Sequence, residues 1–291
     1  MSIKMKVKNL IRHKNLLLLT FVHLTVVLFC QILSIFFSQF LMVSSIVNTK
    51  LPVDFSIYTK EEKTEIYREE VEKIGEKIKT NPEELIYEFY TIATKDSPWI
   101  LFFERLIWAF AFLVPAYLFL HRFLNSPIPD LKKNITSREF LTGLYSGVII
   151  FLFVNLIFYI LEILGHKPEM NVANKALLNG IKGNFIGFLW GIYSIALVTG
   201  LIEETFFRGF LLQQFISIGA SKYGLYFTSF LFGFLHHSME ASFSIALVLS
   251  LVGFGFGILF IFTGNLWVSI IAHSTYNSLV LLVAYFFGDL S

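Results

Sequence analysis

The sequence is poor in charge and almost free of cysteine. Only 15% of its 291 residues are charged, against about 25% in soluble domains, while 55% are hydrophobic and 34 are phenylalanine. The single cysteine, Cys30, excludes an internal disulfide and any Cys-x-x-Cys metal site. The formal net charge of +2 is uninformative about nucleic acid, and we expect no nucleic-acid partner. These properties predict a polytopic membrane protein.

Three motifs of membrane hydrolases are also absent. There is no His-Glu-x-x-His zinc helix, no Gly-x-Ser-Gly and no Gly-x-Gly-Asp. The nearest approaches are Ser146-Gly147, which Leu144-Tyr145 precedes, and Gly288-Asp289 at the end of the sequence. Glutamate with histidine is therefore the chemistry that remains available.

Long apolar runs predict an all-α fold, a bundle of seven to eight transmembrane helices in a single integral-membrane domain over 1–291. The seven predicted spans are 16–43, 99–120, 140–164, 184–218, 223–237, 243–262 and 264–287. A break within 184–218 or 264–287 would make the eighth. The basic, acid-free segment 1–15 before the first span predicts a cytoplasmic N-terminus.

The polar segment 50–97 interrupts this pattern. Lys60 to Thr80 holds seven acids and six bases around an apolar stripe at helical spacing, formed by Tyr67, Val71, Ile74 and Ile78. It predicts an amphipathic helix on the membrane or on the protein. Asn81-Pro82 predicts the start of a second helix, with Asn81 as N-cap. We expect a solvated helical connector here, with a substrate lid as the alternative. The other polar stretch, residues 165–183, is predicted to be a loop.

Two carboxylates and an arginine stand together in the apolar run 184–218. Glu204 and Arg208 are four residues apart, so a helix places them on one face, where they can pair. Glu203 points about 100° away and has no partner on its own helix. Ionised groups at membrane depth are costly unless they are paired or functional. A structural ion pair with a spare acid is the alternative to an active site.

Polar groups from two further helices are predicted to converge on these carboxylates. Reflection of the chain about the turn at Ala220 places Glu203 and Glu204 opposite His236, which shares a helix face with Phe232. His273 and Asn277 share a face of the last span in the same way. For His273 to reach the same depth, the helices around Ala220 must protrude beyond it by about 12 Å at ~1.5 Å per residue.

This set supplies a carboxylate base, two imidazoles, an amide donor and an orienting Glu–Arg pair. It suits the activation of water beside a polarised carbonyl, as the hydrolysis of a peptide bond requires. A proton- or cation-coupled transporter that uses Glu203, Glu204 and His236 is the alternative from another class. An inverted repeat would favour transport. The sequence shows none.

The ordered motifs Glu203-Glu204-x-x-x-Arg208, Phe232-x-x-x-His236 and His273-x-x-x-Asn277 resemble those of the CAAX protease and bacteriocin-processing (Abi, CPBP) family of intramembrane proteases. The Glu-Glu-Thr-Phe-Phe-Arg run resembles its type II CAAX prenyl endopeptidases. The resemblance covers 203–277, within the predicted catalytic helices 184–287. A bacteriocin-immunity type membrane protein of the same family is a further alternative.

The resemblance implies removal of the C-terminal tripeptide from prenylated or lipid-associated Cys-a-a-X proteins or peptides at the membrane, from a cavity open to the cytosol. It implies that Glu203 activates water with help from His236, that His273 and Asn277 stabilise the oxyanion, and that Glu204 and Arg208 orient the site, with Phe232 in support. We expect no cofactor. The alternative is zinc held by Glu203, His236 and His273.

Overall fold

The computed structural model describes residues 3–52, 54–119, 133–237 and 242–288. Within these ranges the chain forms ten helices and no strand. Their bounds are α1 (Ile3–Lys50), α2 (Lys60–Thr80), α3 (Pro82–Thr91), α4 (Trp99–Phe119), α5 (Ser137–Ile163), α6 (Val172–Ile181), α7 (Phe185–Ser217), α8 (Ser221–Leu235), α9 (Phe243–Thr263) and α10 (Leu266–Phe287). The predicted all-α membrane bundle is confirmed.

Six of the described helices are long and apolar enough to cross a membrane: α1 from Thr20, α4 to Leu118, α5, α7, α9 and α10. The remaining predicted span, 223–237, corresponds to α8, which has 15 residues. At ~1.5 Å per residue, α8 is about 22 Å long, shorter than the ~30 Å hydrocarbon core. Because α7 and α10 each run without a break, neither supplies the eighth span.

The segment 50–97 folds as the predicted pair of helices. Thr59 and Glu62 form a reciprocal capping box at the start of α2, and Asn81 accepts from the Glu84 backbone N–H at the start of α3. Ile74 is the one buried residue of the predicted α2 stripe. Tyr67, Val71 and Ile78 are exposed. The connector is held mainly through α3, whose Leu85 and Phe89 pack in a core cluster with residues of α1 and α4.

The prediction that residues 165–183 form a loop was wrong, because Val172–Ile181 is the helix α6. Asn171 caps it by accepting from the Asn174 backbone N–H. Leu177 and Ile181 are buried in the same cluster as α3. The stretch is polar on average, so its short apolar face was not recognised in the sequence. That face is stabilised by packing against α3.

The last helix, α10, packs against α5, α7 and α9 and so lies at the centre of the C-terminal half. Close approach to α5 depends on Gly147, where an added Cβ would lie 2.5 Å from the Ala272 carbonyl oxygen. Gly147 is therefore a contact position that a larger residue could occupy only by displacing α10. Since Ala272 precedes His273, this contact also sets the depth of the histidine.

The helices α7 and α8 form a hairpin that extends past the start of α10. Leu266, the first residue of α10, packs with Leu212 and Leu225 in one buried cluster. The chain between those two leucines, including the end of α7 and its turn, therefore lies beyond α10, by about 8 Å at ~1.5 Å per residue. The hairpin therefore protrudes beyond the start of α10, in the direction that the sequence analysis predicted.

Candidate active site

The pair formed by Glu204 and Arg208 is the most deeply buried part of the site. Nη1 of Arg208 lies 2.7 Å from Oε1 of Glu204, and both side chains are 0% exposed. Nη2 of Arg208 donates to the Gly253 carbonyl oxygen of α9 at 2.6 Å. The guanidinium thereby joins α7 to α9, and removal of either charge would leave the other buried without its partner.

An aromatic box encloses this guanidinium. The Cζ of Arg208 lies 5.0 Å from the ring centroid of Phe232, 5.5 Å from that of Phe256 and 5.7 Å from that of Phe207. Cations are attracted to such ring faces within about 6 Å. The family resemblance implied a supporting role for Phe232. In the structure its ring, on α8, forms one wall of the site.

His273 is fixed on the other side of the same carboxylate. Its Nδ1 lies 2.8 Å from Oε1 of Glu204, and its ring stacks on Phe256 with a centroid separation of 4.8 Å. The helix α10 comes close enough because residue 200 is glycine: a Cβ there would lie 2.7 Å from Oγ of Ser274. With Nδ1 engaged, Nε2 of His273 faces Glu203 at 3.9 Å from Oε2.

His236 approaches Glu203 from α8, where reflection about Ala220 places it. Its Nδ1 lies 2.7 Å from the Phe232 carbonyl oxygen, which can only accept, so Nδ1 carries the hydrogen. Nε2 then points at Glu203, 3.8 Å from Oε2. The His236 side chain is 36% exposed, so this edge of the site is open.

Glu203 thus differs sharply from its neighbour Glu204. Its side chain is 15% exposed, and its Oε2 has no hydrogen-bond partner among the described residues. Oε2 of Glu204 also lacks one, but Glu204 is 0% exposed and its Oε1 is bound by both Arg208 and His273. Two imidazole nitrogens lie just beyond hydrogen-bond distance of Oε2 of Glu203. A carboxylate oxygen that faces two imidazoles across such a gap can share a donor such as water with either of them.

Asn277 lies on the same face of α10 as His273, one turn along. Its Nδ2 donates to the Ile195 carbonyl oxygen of α7 at 3.0 Å. This bond uses one of the two amide hydrogens. The sequence-based role of Asn277 at the oxyanion stays a prediction that depends on the second hydrogen.

The alternative zinc set does not form a metal-binding group in this arrangement. Among the described residues, no three His, Cys, Asp or Glu side chains are grouped so as to hold a metal ion. Independence from metal stays a prediction, which a chelator tests below.

Two residues of the site escaped the sequence analysis. Phe256 stacks on His273, and Gly253 supplies the carbonyl that binds Arg208. Both lie in the apolar helix α9, where no polar signal distinguishes them from lipid-facing residues. Only the path of α9 past α7 and α10 identifies them.

A cavity of about 410 Å³ lies beside the site, between α5, α6, α9 and α10. Its walls are mainly apolar and include Phe158, Leu249 and Val280. Two charged residues, Glu162 and Lys167, also line it. Tyr276 of α10 lines the cavity, and its ring lies 6.5 Å from Phe256, which stacks on His273. One aromatic layer therefore separates the cavity from the carboxylate site.

Residues 185–279 match the family model of Rce1-like proteins, the type II CAAX prenyl endopeptidases. The matched segment contains all the predicted site residues, from Glu203 to Asn277, and it confirms the predicted resemblance. No curated protein and no solved structure shows significant similarity to the chain. Together with the six apolar helices, the match indicates a multi-pass membrane protein with an Rce1-like segment over 185–279.

Proposed function

We propose that this protein is an intramembrane endopeptidase that removes the C-terminal tripeptide from prenylated Cys-a-a-X proteins, with Glu203 as the base that activates water. The observation that carries the proposal is the position of Glu203. Its Oε2 is buried and has no hydrogen-bond partner among the described residues, and it faces Nε2 of His236 at 3.8 Å and Nε2 of His273 at 3.9 Å. The match to the family over 185–279 supports the same chemistry.

The reaction needs one water and one proton carrier. Glu203 takes a proton from water while the water oxygen adds to the scissile carbonyl carbon. When the tetrahedral intermediate collapses, the C–N bond breaks and Glu203 returns the proton to the leaving amine. General acid–base catalysis of this kind contributes about 10²–10⁴-fold in rate.

The surrounding groups have separate tasks. His236, whose Nδ1–H is held by the Phe232 carbonyl, presents Nε2 to the water. Glu204 holds the ring of His273 so that its Nε2 reaches the same space. We assign the oxyanion to His273 and to the second amide hydrogen of Asn277, which share a helix face. Because Nδ1–H of His273 donates to Glu204, this ring donates from Nε2 as an imidazolium. Arg208 pairs with Glu204 and holds it in place.

The apolar cavity beside α10 is our candidate for the prenyl chain. Its volume of about 410 Å³ lies within the ~300–1,000 Å³ range of small-ligand pockets. Its wall residue Tyr276 neighbours Asn277, so a chain in the cavity would place the attached peptide close to the site. We also propose that the site opens to the cytosol, where prenylated C-termini are found.

The test is cleavage of a fluorogenic farnesylated Cys-a-a-X peptide by the purified protein in micelles. We expect wild type to cleave it, and Glu203→Gln to lose at least ~100-fold in kcat because the base is gone. Glu65→Gln is the matched control, since that carboxylate is exposed on α2, which contributes no residue to the site or to the cavity, and this variant should cleave normally. Cleavage by Glu203→Gln at the wild-type rate would overturn the role of Glu203.

A chelator and a flux assay separate the alternatives. Cleavage that persists in strong chelator supports the metal-free mechanism, whereas loss of cleavage that zinc restores would overturn it and leave the protease. No cleavage by folded wild type, together with Glu203-dependent ion flux in proteoliposomes, would overturn the protease in favour of transport.

A further inference from the structure

A second charged pair lies beside the site on a different helix. Glu104 and Arg105 are adjacent in α4, within a span that is otherwise apolar. Nη2 of Arg105 lies 3.4 Å from Oε2 of Glu104, and the hydroxyl of Tyr90 donates to Oε1 at 3.4 Å. Both contacts are long for hydrogen bonds. The pair is therefore held loosely from its own helix and from α3.

The face of α4 that carries Arg105 packs against α7. Phe102, one turn before Arg105, contacts Tyr193, and Phe112, two turns after it, contacts Phe206. Positions three and seven residues apart share a helix face. The two contacts lie on either side of Glu203 in the sequence of α7, so Arg105 faces the part of α7 that leads to Glu203.

Arg105 also has donor capacity that the protein leaves unused. Its Nε is buried and has no hydrogen-bond partner among the described residues, although the side chain as a whole is 21% exposed. Among the described residues, no ion pair within 4.0 Å joins Arg105 to Glu203. The proposed base therefore does not occupy the guanidinium.

We propose that Arg105 binds the free C-terminal carboxylate of the peptide that Glu203 cleaves, and thereby restricts the enzyme to cleavage three residues from the chain end. The inference rests on the proposed function. It gives Arg105 the role of a specificity-determining residue at the end of the site opposite the prenyl chain.

The chemistry of such a substrate requires a cation at this place. The tripeptide that leaves ends in a carboxylate, and a carboxylate at membrane depth is costly unless a cation pairs with it. A guanidinium offers two parallel N–H donors in the geometry of a carboxylate. Three extended residues span about 10 Å. With the scissile bond at Glu203, the terminal carboxylate can therefore reach a cation on the neighbouring helix without contacting Glu203 itself.

The other guanidinium of the site is not available for this task. Arg208 is bound by Glu204 and by the Gly253 carbonyl, and although its Nε is also unpartnered, its side chain is 0% exposed and so closed to a ligand. Arg105, with weaker contacts and a partly exposed side chain, is free to exchange Glu104 for an incoming carboxylate or to bridge the two.

The experiment compares two farnesylated peptides that differ only at the C-terminus, one with a free acid and one with an amide. Binding is measured by fluorescence anisotropy on Glu203→Gln, which holds the peptides without turnover, and cleavage on the protein with its Glu203 intact. We expect the acid to bind and to be cleaved roughly 10- to 100-fold better than the amide, the range for a hydrogen bond to a charged group. When Arg105→Gln is introduced into each of these two proteins, the ratio of acid to amide should fall to near one. Binding and cleavage of the amide peptide should stay unchanged.

Lys95→Gln is the control for general electrostatic attraction, because Lys95 is an exposed cation at the same end of α4. It should keep the wild-type preference for the acid. Arg105→Lys retains the charge but loses the planar donor pair, and we expect an intermediate ratio.

The outcomes separate the two proposals. Equal binding of acid and amide by the Glu203→Gln protein overturns the inference about Arg105 and leaves the protease intact. A parallel loss for both peptides in Arg105→Gln overturns it as well, because that result marks a structural role. Absence of binding and cleavage for either peptide overturns the proposed function along with it. If Arg105→Gln fails to fold, inhibition of wild type by the product tripeptide as acid and as amide decides, and equal inhibition contradicts the inference.

Discussion

Two Glu–Arg pairs flank the same carboxylate, Glu203, and they are built differently. Glu204 and Arg208 are four residues apart on α7, lie 2.7 Å from each other and are 0% exposed. Glu104 and Arg105 are neighbours on α4, lie 3.4 Å apart and are 10% and 21% exposed. The first pair has the helical spacing that brings two side chains together, and adjacent residues lack it.

The difference shows how charges within membrane spans can serve different ends. A tight pair whose arginine also binds a carbonyl of another helix holds the site together, and its charges are not available to a ligand. A loose pair whose arginine is partly exposed retains capacity for a ligand. Exposure and contact distance, rather than the presence of charge or of an unpartnered Nε, distinguish the structural arginine from the binding arginine.

The largest expected effect comes from the tight pair. Arg208→Met leaves Glu204 buried without its cation, so we expect a loss of about 3–5 kcal/mol in the free energy of unfolding. Arg105→Gln should cost far less, because Glu104 keeps Tyr90 and some contact with solvent. Equilibrium unfolding in mixed micelles measures both. Equal losses would contradict the distinction between the pairs.

The aromatic box offers the next test. Phe256→Leu removes a ring that faces Arg208 at 5.5 Å and stacks on His273 at 4.8 Å. Lost packing and lost cation–π attraction together should cost roughly 2 kcal/mol. Phe262→Leu, on the same helix and 84% exposed, is the matched control and should leave unfolding unchanged. An equal loss of unfolding free energy in the control would show that any shortened side chain on α9 has this effect, and would contradict a specific role for the Phe256 ring.

A smaller effect is expected at the loose pair. Tyr90→Phe removes the hydroxyl that donates to Glu104 at 3.4 Å and should cost at most about 1 kcal/mol. If Glu104 then relies more on Arg105, the preference for a free-acid peptide should fall in the cleavage assay. An increase in that preference would indicate that the hydroxyl competes with the substrate for Arg105.

The smallest effect belongs to an exposed pair of the connector. Lys77 lies 2.8 Å from Glu84 and lowers the pKa of that carboxyl, while Glu84 raises the pKa of Lys77. The contribution of Glu84 to stability is present above its ordinary pKa and is lost as the pH falls through the lowered value. Water and salt screen such pairs, so Lys77→Gln should leave thermal unfolding at neutral pH unchanged. A clear loss would show that the connector carries more of the fold than its exposure indicates.

Regular periodicity explains why much of the fold could be predicted. Long apolar runs identify the spans, and local rules identify the caps, so Asn81 and the i,i+4 pair of Glu204 and Arg208 follow from sequence alone. The helix α6 was missed because its apolar face is short and gains its stability from α3. The predicted segment 223–237 and α8 both have 15 residues, and the sequence analysis counted as a span a helix that is shorter than the hydrocarbon core.

Residue spacing predicted which groups of α7, α8 and α10 meet at the site. It did not predict the residues that α9 and α4 contribute. Reflection about Ala220 places His236 opposite Glu203, since a hairpin of two helices preserves depth. No such rule connects α9 or α4 to the site. Phe256, Gly253 and Arg105 therefore required the packing of helices that are distant in the sequence.

The sequence by itself determined that this is a helical membrane protein, that one span carries a Glu–Arg pair and a spare carboxylate, and that two histidines lie at compatible depths. These properties depend on local periodicity and on the cost of charge in an apolar medium. The tertiary structure decided which carboxylate is held by His273 and Arg208 and which is left free, and which arginine stays partly exposed. Those outcomes depend on distances of a few ångströms between helices, and side-chain packing sets such distances only when the whole bundle is assembled.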